Sequence, residues 1–147
     1  MKESRLTLRA EANLDQLIAP MTKEIVRTPK APQPIGPYSQ GVRVGSFLFT
    51  AGQGSIDPKT GKVGGDTIEA QTRQTLQNIQ EILEASGFSL RDVVKVSIFL
   101  KNMTDFQRMN DVYKTFFTEN PPARTTVQAE LPGQGMLVEI DATAFHE

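Results

Sequence analysis

The chain has 147 residues, 38% of them hydrophobic and 22% charged, and its 16 Lys+Arg against 17 Asp+Glu leave a formal net charge of −1. That is enough chain for one domain with a real core, and the charge balance argues against both a strongly basic nucleic-acid binder and an acidic solvating tail. With no cysteine and one histidine, His146, the sequence offers no disulfide framework, no thiolate metal site and no Cys nucleophile, and neither a His-rich metal site nor a Ser-His-Asp triad is expected. No run of about 18 apolar residues reads as a membrane span. The expectation is no metal, no cofactor, no nucleic acid and no membrane partner, with a cytoplasmic location and chemistry that runs on Arg, carboxylate, hydroxyl and backbone groups.

Residues 1–20 are sparse in apolar residues and rich in both charge signs. They read as an N-terminal extension dispensable for function, ahead of a single domain at 21–147. A short helical arm, an upstream start codon or an expression remnant would each account for it, whereas a secretory h-region or a transit peptide would not. A short first strand near Glu24–Arg27 is followed by a connector, Thr28–Gly41, that holds Pro29, Pro32, Pro34 and Pro37 and is therefore extended and turn-rich. Val42-Arg43-Val44 and Phe47–Ala51, separated by Gly45-Ser46, read as a hairpin with a two-residue turn. Gly52, Gly54 and Asp57–Gly61 form a loop.

Thr72, Leu76, Ile79, Ile82 and Leu83 make the apolar stripe of a helix from about Ile68 to Ser86, with Gln71, Arg73, Gln77 and Gln80 on its other positions and Gly87 as the cap. Val93–Leu100 is a β-branched strand, with Val94, Val96, Ile98 and Leu100 facing one way and Val93, Lys95, Ser97 and Phe99 the other. A second helix from about Thr104 to Thr118 carries Phe106, Met109, Val112, Tyr113 and Phe116 as its apolar face, with Thr104 or Asp105 as cap. That stripe reads as core. Strands Arg124–Leu131 and Met136–Phe145 close the chain around the turn Pro132–Gly135. The expected class is α+β: a mixed β-sheet with two helices packed on one face. On the alternation of the last two strands, Arg124 and Glu139 share the other, non-helical face on neighbouring strands. Leu137, Phe99 and Val93 make that face too apolar to stay in water, so self-association is expected.

Arg124 and Glu139 are the leading chemical pair. Arginine's planar fork binds a carboxylate or phosphate through two hydrogen bonds, and a nearby glutamate can orient or deprotonate water. The plainer reading is a structural ion pair between strands. In Ile35–Gln40, a rigid Gly-Pro turn aims Tyr38 either into a pocket or back onto its own loop. The glycines of Thr50-Ala51-Gly52-Gln53-Gly54 allow close backbone approach to a ligand, though their spacing fits no phosphate loop. His146 reads as a solvated terminal residue.

Taken together, Ile35-Gly-Pro-Tyr-Ser-Gln-Gly41, Phe49-Thr-Ala-Gly-Gln53, Asp57-Pro-Lys-Thr-Gly61, Gln71-Thr-Arg-Gln-Thr-Leu-Gln-Asn-Ile79, Val93-Val-Lys95, Pro122-Ala-Arg124 and Val138-Glu-Ile140 resemble the RidA/YjgF family of reactive intermediate deaminases in order and spacing. The resemblance implies a chorismate-mutase-like fold assembled as a homotrimer with intersubunit active sites. It also implies hydrolysis of 2-imino acids, or their enamine tautomers, to 2-keto acids and ammonia. It puts the carboxylate-binding arginine on Arg124, the water-positioning glutamate on Glu139, the loop tyrosine on Tyr38, the substrate-bordering glycine on Gly52 and an asparagine on Asn110. Thr126 stands where the family commonly has cysteine, a position used mainly through its backbone. Ala51 replaces a frequent serine, Gly54 an aliphatic residue and Pro121 a phenylalanine. The competing readings are a small-carboxylate-binding or regulatory trimer without turnover, a ribonuclease or translation inhibitor, and a protein-holding chaperone.

Overall fold

The computed structural model describes residues 21–147, so the extension expected to be dispensable lies outside the described residues. Its elements are β1 (Lys23–Val26), β2 (Gly41–Val44), β3 (Phe47–Thr50), α1 (Ile68–Glu84), β4 (Val93–Leu100), α2 (Phe106–Phe116), β5 (Ala123–Gln128) and β6 (Val138–Phe145). The strands form one sheet in the order β1-β2-β3-β6-β4-β5. The β4/β5 pair is parallel and the other pairs are antiparallel. The two crossovers, β3-α1-β4 and β4-α2-β5, step across the sheet in the same direction. Right-handed connections then put both helices over the same face, as the α+β reading expects.

Local chemistry sets the ends of the elements. The Thr67 hydroxyl accepts from the Ala70 N–H at 3.2 Å and caps the start of α1. The helix stops two residues earlier than its pattern suggests because the Ser86 and Gly87 N–H groups turn to Leu83 and Glu84 carbonyls, at 3.0 and 3.1 Å, and Gly87 takes φ +78°. A one-turn 3-10 segment, Met103–Asp105, precedes α2, and Asp105 occupies its N-cap without a side-chain capping bond. Between β2 and β3, Gly45 takes φ +56° in the two-residue turn, which pairs Val44 with Phe47.

Leu76, Ile79, Ile82 and Leu83 of α1 and Met109 and Tyr113 of α2 pack on Val138, Ile140, Ala142 and Ala144 of β6 and Val96, Ile98 and Leu100 of β4. The β4 alternation carries one correction. Val93 is buried and Val94 exposed, the reverse of a regular strand, because a register shift between Val93 and Lys95 opposite Ala144 and Thr143 inserts one residue. A bulge resets the phase of everything before it, so Val93 joins the core.

The face away from the helices stays open in the single chain. Phe47, Phe49 and Phe145 are each between 38% and 46% exposed. They cluster, with ring centroids 6.2 Å apart for Phe47 and Phe49 and 5.0 Å for Phe47 and Phe145. His146 is not the solvated residue expected. Its ring meets Phe88 edge-on at 4.5 Å, and its N–H donates to the Ser46 carbonyl at 3.1 Å.

Candidate active site

Glu139 lies on β6 opposite Phe99 of β4, on the side away from the helices. Beyond Thr50 the chain keeps following β6, with Gln53 and Ile140 exchanging two backbone bonds of 2.8 and 3.0 Å. That path lays Gly52 against the acid. A Cβ on Gly52 would collide with Glu139 Oε1 and stand 3.0 Å from its Cδ, so any larger residue there would push the acid out of its present place. Glu139, Gly52 and Tyr38 line one cavity of about 260 Å³, whose walls include Pro32, Ile56 and Met136.

Burial pushes the Glu139 carboxyl above the ordinary carboxylate range, and the negative charge of Asp141 adds to the shift. Among the described residues no cation pairs with it. Tyr38 stands at the rim, 52% exposed, its hydroxyl accepting from the Ile35 N–H at 3.3 Å and its own N–H donating to the Gly36 carbonyl at 2.9 Å. It is therefore not buried: its hydroxyl turns back onto its own loop while the side chain lines the cavity.

Polar side chains that the sequence reading passed over build this cavity. Buried Gln40 accepts from the Thr28 N–H at 2.7 Å, and its amide nitrogen reaches the Thr28, Ala31 and Pro32 carbonyls at 2.9, 3.1 and 2.9 Å. One side chain thus fixes the proline-rich connector. Gln71, read as one of the non-core positions of α1, is fully buried. Its oxygen accepts from the Leu137 N–H and the Ser55 hydroxyl at 2.7 and 2.9 Å, and its nitrogen donates to the Gly65 and Gly135 carbonyls at 3.0 and 2.8 Å. Asn78 donates to the Gly54 and Ile56 carbonyls at 3.1 and 2.8 Å. A buried loop must satisfy its backbone somewhere, and here α1 supplies the partners. The available signal was amides recurring at 71, 74 and 78, the spacing of one helix face.

Arg124 sits elsewhere. In the parallel β4/β5 pair it lies opposite Val96, a core residue, so it points to the helix side. This corrects the expectation that Arg124 and Glu139 share a face on neighbouring strands. β6 pairs with both β3 and β4, so β4 separates it from β5. The two residues stand on opposite faces, and Arg124 does not line the Glu139 cavity.

The guanidinium lies 4.7 Å above the Tyr113 ring and 5.6 Å from that of Phe106, both on α2. Asn110 falls between them on the same helix face, and Thr126, opposite Ile98, shares the helix side of β5. Three buried polar atoms there have no partner among the described residues: Asn110 Oδ1, Tyr113 OH and Thr126 Oγ1. Burial pushes the Tyr113 hydroxyl up to about 12 against the pull of Arg124, so the ring stays neutral. The six candidate residues thus fall into two groups. Arg124, Asn110 and Thr126 form one cluster, a guanidinium beside unmet polar groups. Glu139, Gly52 and Tyr38 form a cleft holding a desolvated acid able to take a proton from water.

The family model described as Endoribonuclease L-PSP matches residues 28–146. A RutC family protein of Pyrococcus horikoshii is 52% identical over 125 residues, covering 85% of this chain and 99% of its own. The chain belongs to the RidA/YjgF (RutC) family. Within the family it is also 44% identical, over 84% of its length and 98% of the relative, to the 2-iminobutanoate/2-iminopropanoate deaminase of Salmonella typhimurium. Among solved RidA/YjgF-like structures, E. coli TdcF with bound serine superposes with a TM-score of 0.80 at 38% identity, covering 84% of this chain and 99% of that one. The mixed sheet with two packed helices is the family's architecture. No described helix is long and apolar enough to cross a membrane.

Proposed function

We propose that this chain hydrolyses 2-imino acids, such as 2-iminopropanoate and 2-iminobutanoate, to 2-keto acids and ammonia. In this reading it works as a homotrimer whose clefts join the Arg124 side of one copy to the Glu139 side of the next, with residues 21–147 carrying the activity. The observation that carries the reading is the division of the site. An unpaired guanidinium, beside three unpartnered polar atoms, and a desolvated carboxylate without a cation stand on opposite faces of one sheet. A head-to-tail contact that closes into a ring unites such halves, and the exposed aromatic face offers it apolar area. The deaminase of Salmonella typhimurium and the serine-bound TdcF support the same substrate class.

The chemistry needs little beyond placement and charge. A protonated imine is already electrophilic at C2. Arg124 grips the substrate carboxylate through its fork, and Asn110 and Thr126 take the remaining polar contacts. Gly52 lets the imine approach the main chain. Glu139 holds a water and accepts its proton as the water oxygen bonds to C2. Glu139 then gives that proton to the nitrogen and takes the proton of the new hydroxyl as the C–N bond breaks, so ammonia leaves and the carbonyl forms. Tyr38 closes the mouth.

The test is to release the imine with a serine or threonine dehydratase and follow its decay with and without the protein. Faster decay is expected, and Arg124→Ala should lose about 2–5 kcal/mol of transition-state binding, roughly 30-fold or more in kcat/KM. Keto-acid binding without faster decay would favour a regulatory trimer.

A further inference from the structure

One wall of the Glu139 cavity is a flexible side chain held in place by two glycines. Met136 is 7% exposed and lines the cavity together with Glu139 and Gly52. A Cβ on Gly54 would run into Met136 Cε, and a Cβ on Gly133 into Met136 Sδ. Neither glycine has a positive φ, so the backbone does not require glycine at either place. What the two provide is room for the thioether. Methionine is unbranched and fills irregular space by turning its torsions, so its end moves readily when crowded. Pro32, Ile56 and Pro132 add apolar wall to the same cavity, which Gln33, Gln40 and Gln53 also line.

We propose that Met136 sets the size of the substrate side chain this site accepts. Resting against Gly54, it leaves apolar space for 2-imino acids whose aliphatic side chains are longer than methyl. Displaced from Gly54, it has only the cavity to enter, and it closes that space. The inference rests on the deaminase reading. Glu139 and Gly52 put the reacting carbon at the mouth of this cavity, and the side chain of the imine then points inward, toward Met136. Met136 lines the Glu139 half of the site and Arg124 belongs to the other half, so the size preference varies independently of carboxylate binding.

The experiment compares the full chain with Met136→Ala and Gly54→Ala. The 2-imino acids of alanine, 2-aminobutyrate and leucine are released in situ by an amino-acid oxidase with catalase present, and kcat/KM is measured for each. Excluding or admitting a methylene in an apolar pocket changes kcat/KM by about tenfold or more. Met136→Ala should therefore raise the leucine-to-alanine ratio by about tenfold, and Gly54→Ala should lower it by a comparable factor. If both variants scale all three substrates alike, or move the ratio the same way, the assignment of Met136 is wrong. Should Met136→Ala not fold, Gly54→Ala decides alone, because its added methyl meets only the mobile end of a side chain. A parent that accelerates none of the three overturns the deaminase reading and this inference with it. A parent that is active while the ratio stays flat overturns only the role of Met136.

Discussion

Glu139 holds its proton more tightly in the folded chain than in the unfolded one, because burial and Asp141 both disfavour its charged form. The folded state therefore binds more protons from pH 4.5 upward to its own raised value, and stability falls as pH climbs through that window. Glu139→Gln removes the charge while keeping the shape. It should melt higher than the parent near neutral pH and lose that advantage below 4.5, the ordinary carboxylate value. Thermal melts of the two proteins across that range check this, and a variant that melts lower at neutral pH would contradict it. The same substitution removes the proposed proton acceptor, so hydrolysis should drop while the fold firms up, the usual exchange at a site kept under strain for function. Arg124 represents a different solution. Its charge is held by two aromatic faces rather than by an acid, and its donors have no partner among the described residues.

At the scale of the element, α1 does two jobs that its sequence separates poorly. Its apolar stripe, Leu76, Ile79, Ile82 and Leu83, is legible by spacing and is buried. Its buried amides also recur at helical spacing, but spacing alone does not say that Gln71 and Asn78 are buried until the loops they hold are known. Gln71 makes four hydrogen bonds to segments around the cavity. Gln71→Leu should therefore cost about 3 kcal/mol or more, from lost bonds and from Leu137, Gly65 and Gly135 groups left unpaired. Denaturant unfolding measures that cost, and hydrolysis should fall with it as the loops at 54–56 and 135–137 loosen. A loss under about 1 kcal/mol would mean water replaces the amide freely. Strand phase shows the same limit. Alternation gives the inward row of β6 correctly, but at Val93 and Val94 one bulged residue reverses it, and nothing in two adjacent valines signals that. The candidate residues are singled out through the motifs around them. Their placement is not legible there, because β5 and β6 adjoin in sequence while β4 lies between them in the sheet.

At the scale of the whole molecule, the open sheet face is the feature that a single chain leaves unexplained. Phe47, Phe49 and Phe145 form one aromatic patch beside the acid-bearing strand. Under the trimer reading, Phe49→Asp places a charge where apolar contact between copies is needed, and burying it unpaired costs several kcal/mol. The variant should sediment as a monomer, keep its helical circular dichroism and lose imine hydrolysis. A trimer that persists in that variant would remove the sheet face from the interface.

The opposed placement of Arg124 and Glu139 has a chemical consequence of its own. Two groups of opposite sign on the same side of a sheet would quench each other, and each would spend its affinity on its neighbour. Mounted back to back, they cannot meet within one polypeptide, so both stay unspent. Under the trimer reading, a lone copy then carries two half-sites and hydrolyses no imine until copies assemble.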